Sequence, residues 1–165
     1  MKKHLLCLSF VLLASGCASE REAPPAAPPA QPIFDSLIVP GVRIGPVAVG
    51  MSGAQLLQAV GSPASSNHAF TDGTWNHFSN GIGAFVRDRD NRVIIVTSED
   101  ARYRTMEGVG PGVAELVVRS ALGAPTRVLD ADYNQARIYT NLYYPGMAVA
   151  IDPRTGRVVV ISIPR

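Results

Sequence analysis

The chain has 165 residues, 47% of them hydrophobic, with two cysteines and a formal net charge of +2. Its only lysines are Lys2 and Lys3, so the rest of the chain balances arginine alone against 13 acidic residues. A near-neutral body with no basic stripe excludes a nucleic-acid binder, which must place cations along many phosphates. Both cysteines, Cys7 and Cys17, lie ahead of the body, which excludes a disulfide framework, a thiolate nucleophile or a cysteine metal site within it.

In chain order, Lys2 and Lys3 precede an apolar run from Leu5 to Ala14. The run is too short to span a bilayer, which takes about twenty apolar residues. With the small residues behind it, it reads as a secretory signal over residues 1–16. Ala14-Ser15-Gly16-Cys17 resembles the lipobox of bacterial lipoproteins. That resemblance implies cleavage before Cys17 and acylation of Cys17 with palmitate-type chains, an attachment to which each buried methylene adds about 0.8 kcal/mol. Ala18 rather than aspartate after the cysteine then implies the outer membrane of a Gram-negative bacterium, facing the periplasm. Residues 17–32 continue as a proline- and alanine-rich spacer with no apolar periodicity, expected to be disordered or polyproline-like.

The body, 33–165, reads as one domain built from two similar segments, about 41–99 and about 104–165. In the first, Ser52 and Gln55 form a predicted capping box, in which the hydroxyl accepts a free backbone N–H and the amide side chain returns a bond. Leu56, Ala59 and Val60 then share one helical face, Gly61 ends the helix and Pro63 blocks its resumption. Val118, Ala121, Leu122, Gly123 and Pro125 repeat the pattern, with Gly112 and Glu115 a partial imitation of the box.

Three strands are predicted after each helix. The first set is Thr74 to Ser79, Ile82 to Arg87 and Val93 to Ser98; the second is Arg137 to Tyr144, Met147 to Asp152 and Val158 to Ile163. Asp72-Gly73, Asn80-Gly81 and Pro153-Arg154-Thr155-Gly156 supply turn signals. Asn76 aligns with Asn141, Gly81 with Gly146, and Arg92-Val93 with Arg157-Val158. Ile82, Ala84 and Val86, like Met147, Val149 and Ile151, alternate onto the face that should take the helices. The last strand of each set is apolar on both faces, so the two sets should meet there in a sheet of up to eight strands. The expected fold class is α+β: tandem helix-plus-three-strand repeats, antiparallel, with the helices on one face.

The pattern carried by Gly50, Met51, Ser52, Gln55, Gly61 and Pro63, after a lipobox and spacer, resembles the SmpA/OmlA (BamE-like) outer-membrane lipoproteins. Its tandem use is similar to that in the β-lactamase inhibitor proteins. The resemblance implies a small α+β module that assists assembly or integrity of the envelope, or else a tethered inhibitor of an enzyme. A small-molecule, lipid or peptidoglycan binder is a further alternative.

Catalytic chemistry is not legible, so no catalytic residue, metal ligand or cofactor is expected. His68, His77 and Asp72 follow no ligand spacing. Ser52 lacks the final glycine of a nucleophile elbow, and its capping role accounts for it. Glu99-Asp100 and Asp88-Arg89-Asp90 fall at strand ends or turns, where solvated charges are ordinary. The glycine-rich Thr105 to Gly112 reads as a flexible joint between the segments. One surface invites a partner. Arg137, Tyr139, Asn141 and Tyr143 alternate along one strand on the helix-free face, with Asn76 and Phe78 expected on the matching face of the first segment. Tyrosine and arginine are favoured at protein interfaces, so these six positions predict a docking site for an envelope protein.

Overall fold

The structure, a computed structural model, describes residues 35–69, 72–133 and 136–165. Cys17 and the spacer lie outside the described residues. The body begins with three two-residue strands, β1 (Ile38–Val39), β2 (Arg43–Ile44) and β3 (Val47–Ala48), in a small antiparallel sheet. Helix α1 (Gly53–Val60) follows, then β4 (Ser65–Ala69), β5 (Gly73–His77), β6 (Ile82–Arg87) and β7 (Arg92–Ser98). Helix α2 (Glu115–Leu122) opens the second half, followed by β8 (Arg127–Tyr133), β9 (Ala136–Tyr144), β10 (Met147–Asp152) and β11 (Arg157–Pro164).

The eight long strands form one antiparallel sheet in the order β4-β5-β6-β7-β11-β10-β9-β8. The two strands that are apolar on both faces, β7 and β11, pair at its centre through Ile161–Ser98 and Ile163–Val96. One face carries the core. Val93 and Val96 from β7, Ile161 and Ile163 from β11, and Leu142 and Val149 from β9 and β10 pack there with Leu56, Val118, Ile38, Ile44 and Val47, all at most 2% exposed. The two helices and the small sheet therefore cover the same side. Burial at this depth removes about 1.5–3 kcal/mol of unfavourable hydration per large aliphatic side chain.

The expected α+β fold of helix-plus-three-strand repeats is corrected on two counts. The molecule is mostly β, with two helices of eight residues each, and four strands rather than three follow each helix. The missed strands, SSNHA in β4 and RVLDADY in β8, are the edges of the sheet. SSNHA is nearly all polar and shows no apolar alternation, and in RVLDADY the adjacent Val128 and Leu129, both exposed, blur the alternation of a one-sided strand. The small sheet escaped for a different reason: two-residue strands are too short to show any period.

The capping box on α1 is formed, with Gln55 N donating to the Ser52 hydroxyl at 3.2 Å and Ser52 N to Gln55 Oε1 at 2.9 Å. No such box starts α2, whose N-cap is Ala114 with no side-chain bond. Its first turn is tied down by the backbone instead, Glu115 N donating to Gly156 O at 2.8 Å. The segment expected to be a flexible joint is a packed turn. Thr105 N donates to Val109 O at 2.8 Å, and Val109 is fully buried.

Candidate functional site

Register decides which side chains reach the open face of the large sheet, because residues paired across an antiparallel ladder point to the same side. Ala84 and Val86 face the core, and their partners on β5 are Asn76 and Thr74. Asn76 therefore lies on the helix side, and Phe78, 5% exposed, is part of the core. Both expected contact residues of the first half are corrected by this. The cause is one residue of turn length. The β5–β6 connection is Ser79-Asn80-Gly81, closed by Phe78 N donating to Ile82 O, whereas β9–β10 turns through Pro145-Gly146 alone, with Tyr144 paired to Met147. The alignment of Asn76 with Asn141 slips by one within that turn, and a one-residue slip moves a side chain to the opposite face. Trp75 is the true counterpart of Asn141, and His77 of Tyr143: each pair faces matching residues of the next strand, Phe85 with Ala150 and Gly83 with Ala148.

On the second half, Tyr139, Asn141 and Tyr143 do turn away from the helices, opposite Ala131, Leu129 and Arg127 of β8. Tyr139 is 36% exposed and Leu129 37%. The side chain of Arg137 lies outside the described residues. The arginine that accompanies these rings is Arg127, whose guanidinium carbon sits 5.9 Å from the centre of the Tyr143 ring.

Sequence reasoning missed the corresponding cluster on the first half. Trp75 and His77 stack with centroids 6.3 Å apart and planes at 20°, and Phe85 leans on Trp75 at 5.2 Å and 56°. Two glycines make room for these rings. A Cβ on Gly73 would collide with the Phe85 ring, and one on Gly83 would collide with Thr97 Oγ1. The signal was present in sequence as alternate aromatics on either side of Asn76, and the wrong strand phase hid it.

A single row of paired residues crosses the open face from edge to edge. Ser65 pairs with His77, His77 with Gly83, and Gly83 with Thr97; across the centre Thr97 meets Ser162. Beyond it Ser162 pairs with Ala148, Ala148 with Tyr143, and Tyr143 with Arg127. The order is the same read from either end: polar, ring, small, hydroxyl, then hydroxyl, small, ring, polar. Beside this row the halves differ in bulk. Trp75, Phe85 and Ile95 on the first half stand where Asn141, Ala150 and Val160 stand on the second. A depression of about 440 Å³ opens on the second half between Glu99, Pro111, Tyr139 and Val160.

Among the described residues the titratable groups do not converge. His68 is opposite Thr74 on the helix side and His77 is on the open face, so the two imidazoles cannot share an ion. His68 pairs instead with Asp88 at 2.9 Å, Asp90 with Arg87 at 2.6 Å, and Asp100 with Arg102 at 2.7 Å. Hydrogen bonds from Arg102 hold the Asp100 carboxyl below its ordinary range, and those from Arg43 do the same for Asp35. A groove of about 550 Å³ beside α1 is lined by Asp35, Asn80, Arg102 and Tyr103. Its polar groups already serve one another, Tyr103 and Arg102 both donating to Asn80 O. Burial raises the Tyr103 hydroxyl, which keeps it neutral and a donor.

No family model matches the chain, and no curated protein matches it. Four solved chains are similar, three of them as follows. One is an extracellular protein containing an SCP domain from Bacillus anthracis, with TM-score 0.49 and 10% identity over 70% of this chain and 43% of that one. A DUF4309 family protein from Bacillus subtilis has TM-score 0.49 and 13% identity over 68% of this chain and 77% of that one. A cysteine-rich secretory protein from Staphylococcus aureus has TM-score 0.48 and 9% identity over 70% of this chain and 44% of that one. The chain thus spans less than half the length of the first and third, and likenesses of this size transfer no activity. The expected resemblance to SmpA/OmlA (BamE-like) lipoproteins, in tandem as in the β-lactamase inhibitor proteins, is overturned: no family model matches, and the molecule is mostly sheet, not helix-plus-three-strand repeats. Ser52, Gln55 and Gly61 cap and terminate a helix, a task common to many folds.

Proposed function

We propose that the chain is a non-enzymatic binding module, exported and held at a membrane by acyl chains on Cys17. Its contact surface for another component of the cell envelope is the open face of the large sheet. The observation that carries this reading is the face itself. It displays Trp75 and His77 on one flank and Tyr139 and Tyr143 on the other, while the core, both helices and the small sheet occupy the opposite side. Rings of this kind combine large contact area with a polar tip, which suits a surface that must be wet when free and covered when bound. Among the described residues, the carboxylates and imidazoles are dispersed over the molecule and place no nucleophile with a base beside it.

Anchoring follows from the lipobox, and the spacer of residues 17–32 gives the body reach from the membrane surface. Outer-membrane attachment on the periplasmic side, with a role in envelope assembly or integrity, completes the proposal. A photo-crosslinking side chain placed at Tyr143, and separately at Leu116 on the outward side of α2, tests the surface in living cells. Adducts from position 143 and none from 116 are expected; the reverse pattern overturns the assignment. Cys17→Ala should abolish acyl labelling and release the protein from the membrane fraction. A wild-type chain that never takes up label would remove the anchor from the proposal.

A further inference from the structure

The depression on the second half is a space that the first half fills. On the first half Trp75 pairs with Phe85, Phe85 with Ile95, and Ile95 with Pro164 across the centre. On the second, Asn141 pairs with Ala150 and Ala150 with Val160. The register that joins Ile161 to Ser98 then sets Glu99 beside Val160, and both line the depression. Three bulky apolar side chains and a proline thus give way to a carboxamide, two smaller aliphatic groups and a carboxylate. The ring has moved too. The Phe85 ring lies so close over Gly73 that a Cβ there would collide with it. Tyr139 stands at the place of Gly73 and Ala150 at that of Phe85, so the ring becomes a wall and about 440 Å³ opens above the small residue.

The lining has a definite sign. Val159 and Val160 form a half-buried aliphatic floor, Tyr139 is 36% exposed, and Glu99 is exposed. Asp35, Asp90, Asp100 and Glu115 each hold an arginine of their own. Among the described residues no ion pair or side-chain hydrogen bond holds the Glu99 carboxylate. Arg157 reaches the rim at Gly112 but spends its donor on that residue's carbonyl, at 2.8 Å. An anion is repelled by such a site. A compact metal ion requires several oxygen ligands, and no group of three His, Cys, Asp or Glu side chains converges among the described residues. A guanidinium meets all three features. It is planar and weakly hydrated, stacks on an aromatic face, pairs with a carboxylate through two parallel N–H donors, and trails an aliphatic stem suited to an apolar floor.

We infer that this basin is the socket for an arginine side chain presented by the partner protein. Its stem lies over Val159 and Val160, and its guanidinium sits between the Tyr139 ring and the Glu99 carboxylate. The inference rests on the open face being the contact surface, and it names what the partner must bring there. Only one half has the socket; the other meets the partner with an apolar ridge, so the arginine also fixes which way round the partner docks.

The full acylated protein, in an uncharged detergent, is titrated with N-acetyl-arginine methylamide and followed by NMR. Saturable shifts are expected at the amides of Glu99 and Val160 and at the Tyr139 ring, and none with the neutral citrulline isostere. Glu99→Gln should weaken binding at least about tenfold by removing the charge-assisted pair. Tyr139→Phe should bind within about threefold of wild type and Tyr139→Ala markedly more weakly, because the ring face and not the hydroxyl makes the contact. Ala150→Phe, which copies the first half, should abolish binding, with the melting temperature of each variant confirming that it is folded. The inference is overturned if the arginine derivative causes no saturable shift, if the citrulline derivative binds as well, or if Glu99→Gln and Ala150→Phe both bind as wild type does. Binding of the derivative with no protein adduct from a photo-crosslinker at Val160 in cells would overturn it as well, leaving a site for a small guanidinium compound. Adducts from position 143 in cells without arginine binding in vitro would sink the socket and leave the contact surface standing.

Discussion

In the first half of the large sheet Gly53, at the start of α1, lies against Asn91 in the β6–β7 turn; in the second, Glu115 at the start of α2 lies against Gly156 in the β10–β11 turn. The backbone bond is the same in both, Gly53 N to Asn91 O at 2.9 Å and Glu115 N to Gly156 O at 2.8 Å. A Cβ on Gly53 would stand 2.5 Å from Asn91 Oδ1, so at this close approach one partner carries a side chain and the other is glycine, with the roles exchanged between the halves. The surrounding bonds repeat as well. Gly50 N donates to Val93 O and Gly112 N to Val158 O, both at 2.7 Å, while Arg92 donates back to the Gly50 carbonyl and Arg157 to that of Gly112. Even the bulges match, falling between Phe85 and Val86 and between Ala150 and Ile151. The two halves share a hydrogen-bonded frame and differ in what they mount on it. The frame is constrained because buried backbone groups must be paired; the open face is free to diverge, and one half has become an aromatic ridge and the other a basin.

The largest effect should come from the seam that joins the halves. Val96 and Ile161 are fully buried at matching positions of β7 and β11. Ile161→Ala should cost about 2–5 kcal/mol by denaturant titration, and Val96→Ala less, because fewer methyl groups are removed. Both should show one cooperative transition. Two separated transitions would mean that the halves fold independently and do not share a core.

Next is the contact that ties the small sheet to the second half. Gly41 N donates to Gly146 O at 2.7 Å, and Gly146 has φ +71 and no room for a Cβ, which would stand 2.6 Å from Gly41 N. Gly146→Ala should therefore destabilise by about 1–3 kcal/mol, read from the denaturation midpoint. Gly123→Ala, at φ +78 with open space around it, carries backbone strain without the collision and should cost less. Equal losses would show that the approach of Gly41 contributes nothing.

The helix starts separate the halves more gently. Ser52→Ala should cost about 1 kcal/mol by removing the hydroxyl that caps α1. Ala114→Ser should stabilise by up to about 1 kcal/mol, since it offers α2 the cap it lacks. A loss on introducing the serine would mean that the bridge from Ala114 to Arg157 already fixes that position.

The smallest effect concerns acid. Arg43 holds the Asp35 carboxyl through bonds of 2.7 Å from both terminal nitrogens, which lowers its pKa from the ordinary 3.8. A carboxyl lowered on folding stabilises the protein above its unfolded value, and that contribution fades as pH falls through and below 3.8. Asp35→Asn should cost about 0.2–1 kcal/mol at neutral pH, as expected for a partly exposed pair, and the difference from wild type should shrink as the pH falls below 3.8. A difference that persists in acid would point to lost packing, not charge.

Much of the fold could be read from particular residues. Ser52 with Gln55, and Gly61 with Pro63, mark α1 because capping and termination are local interactions. Ile82, Ala84 and Val86 name their own buried face because alternation is a property of one strand. The edges β4 and β8 could not be read, since both are exposed and neither has a buried face to impose an apolar pattern. The candidate site was half legible. Tyr139, Asn141 and Tyr143 were placed on the correct face, but Asn76 and Phe78 were assigned through an alignment that a shorter turn at Pro145-Gly146 had displaced. That error concealed Trp75 and His77, one position to either side of Asn76.

By itself the sequence determined the local elements and the two-sided apolar strands that belong at the middle of the sheet, because these depend on periods and end signals contained in short segments. Tertiary structure alone decided the phase of β5 against β6, and with it the row of rings, small residues and hydroxyls that crosses eight strands. That row joins residues far apart in the chain, and its existence rests on turn lengths summed around the sheet, where a single residue exchanges the buried side for the open one.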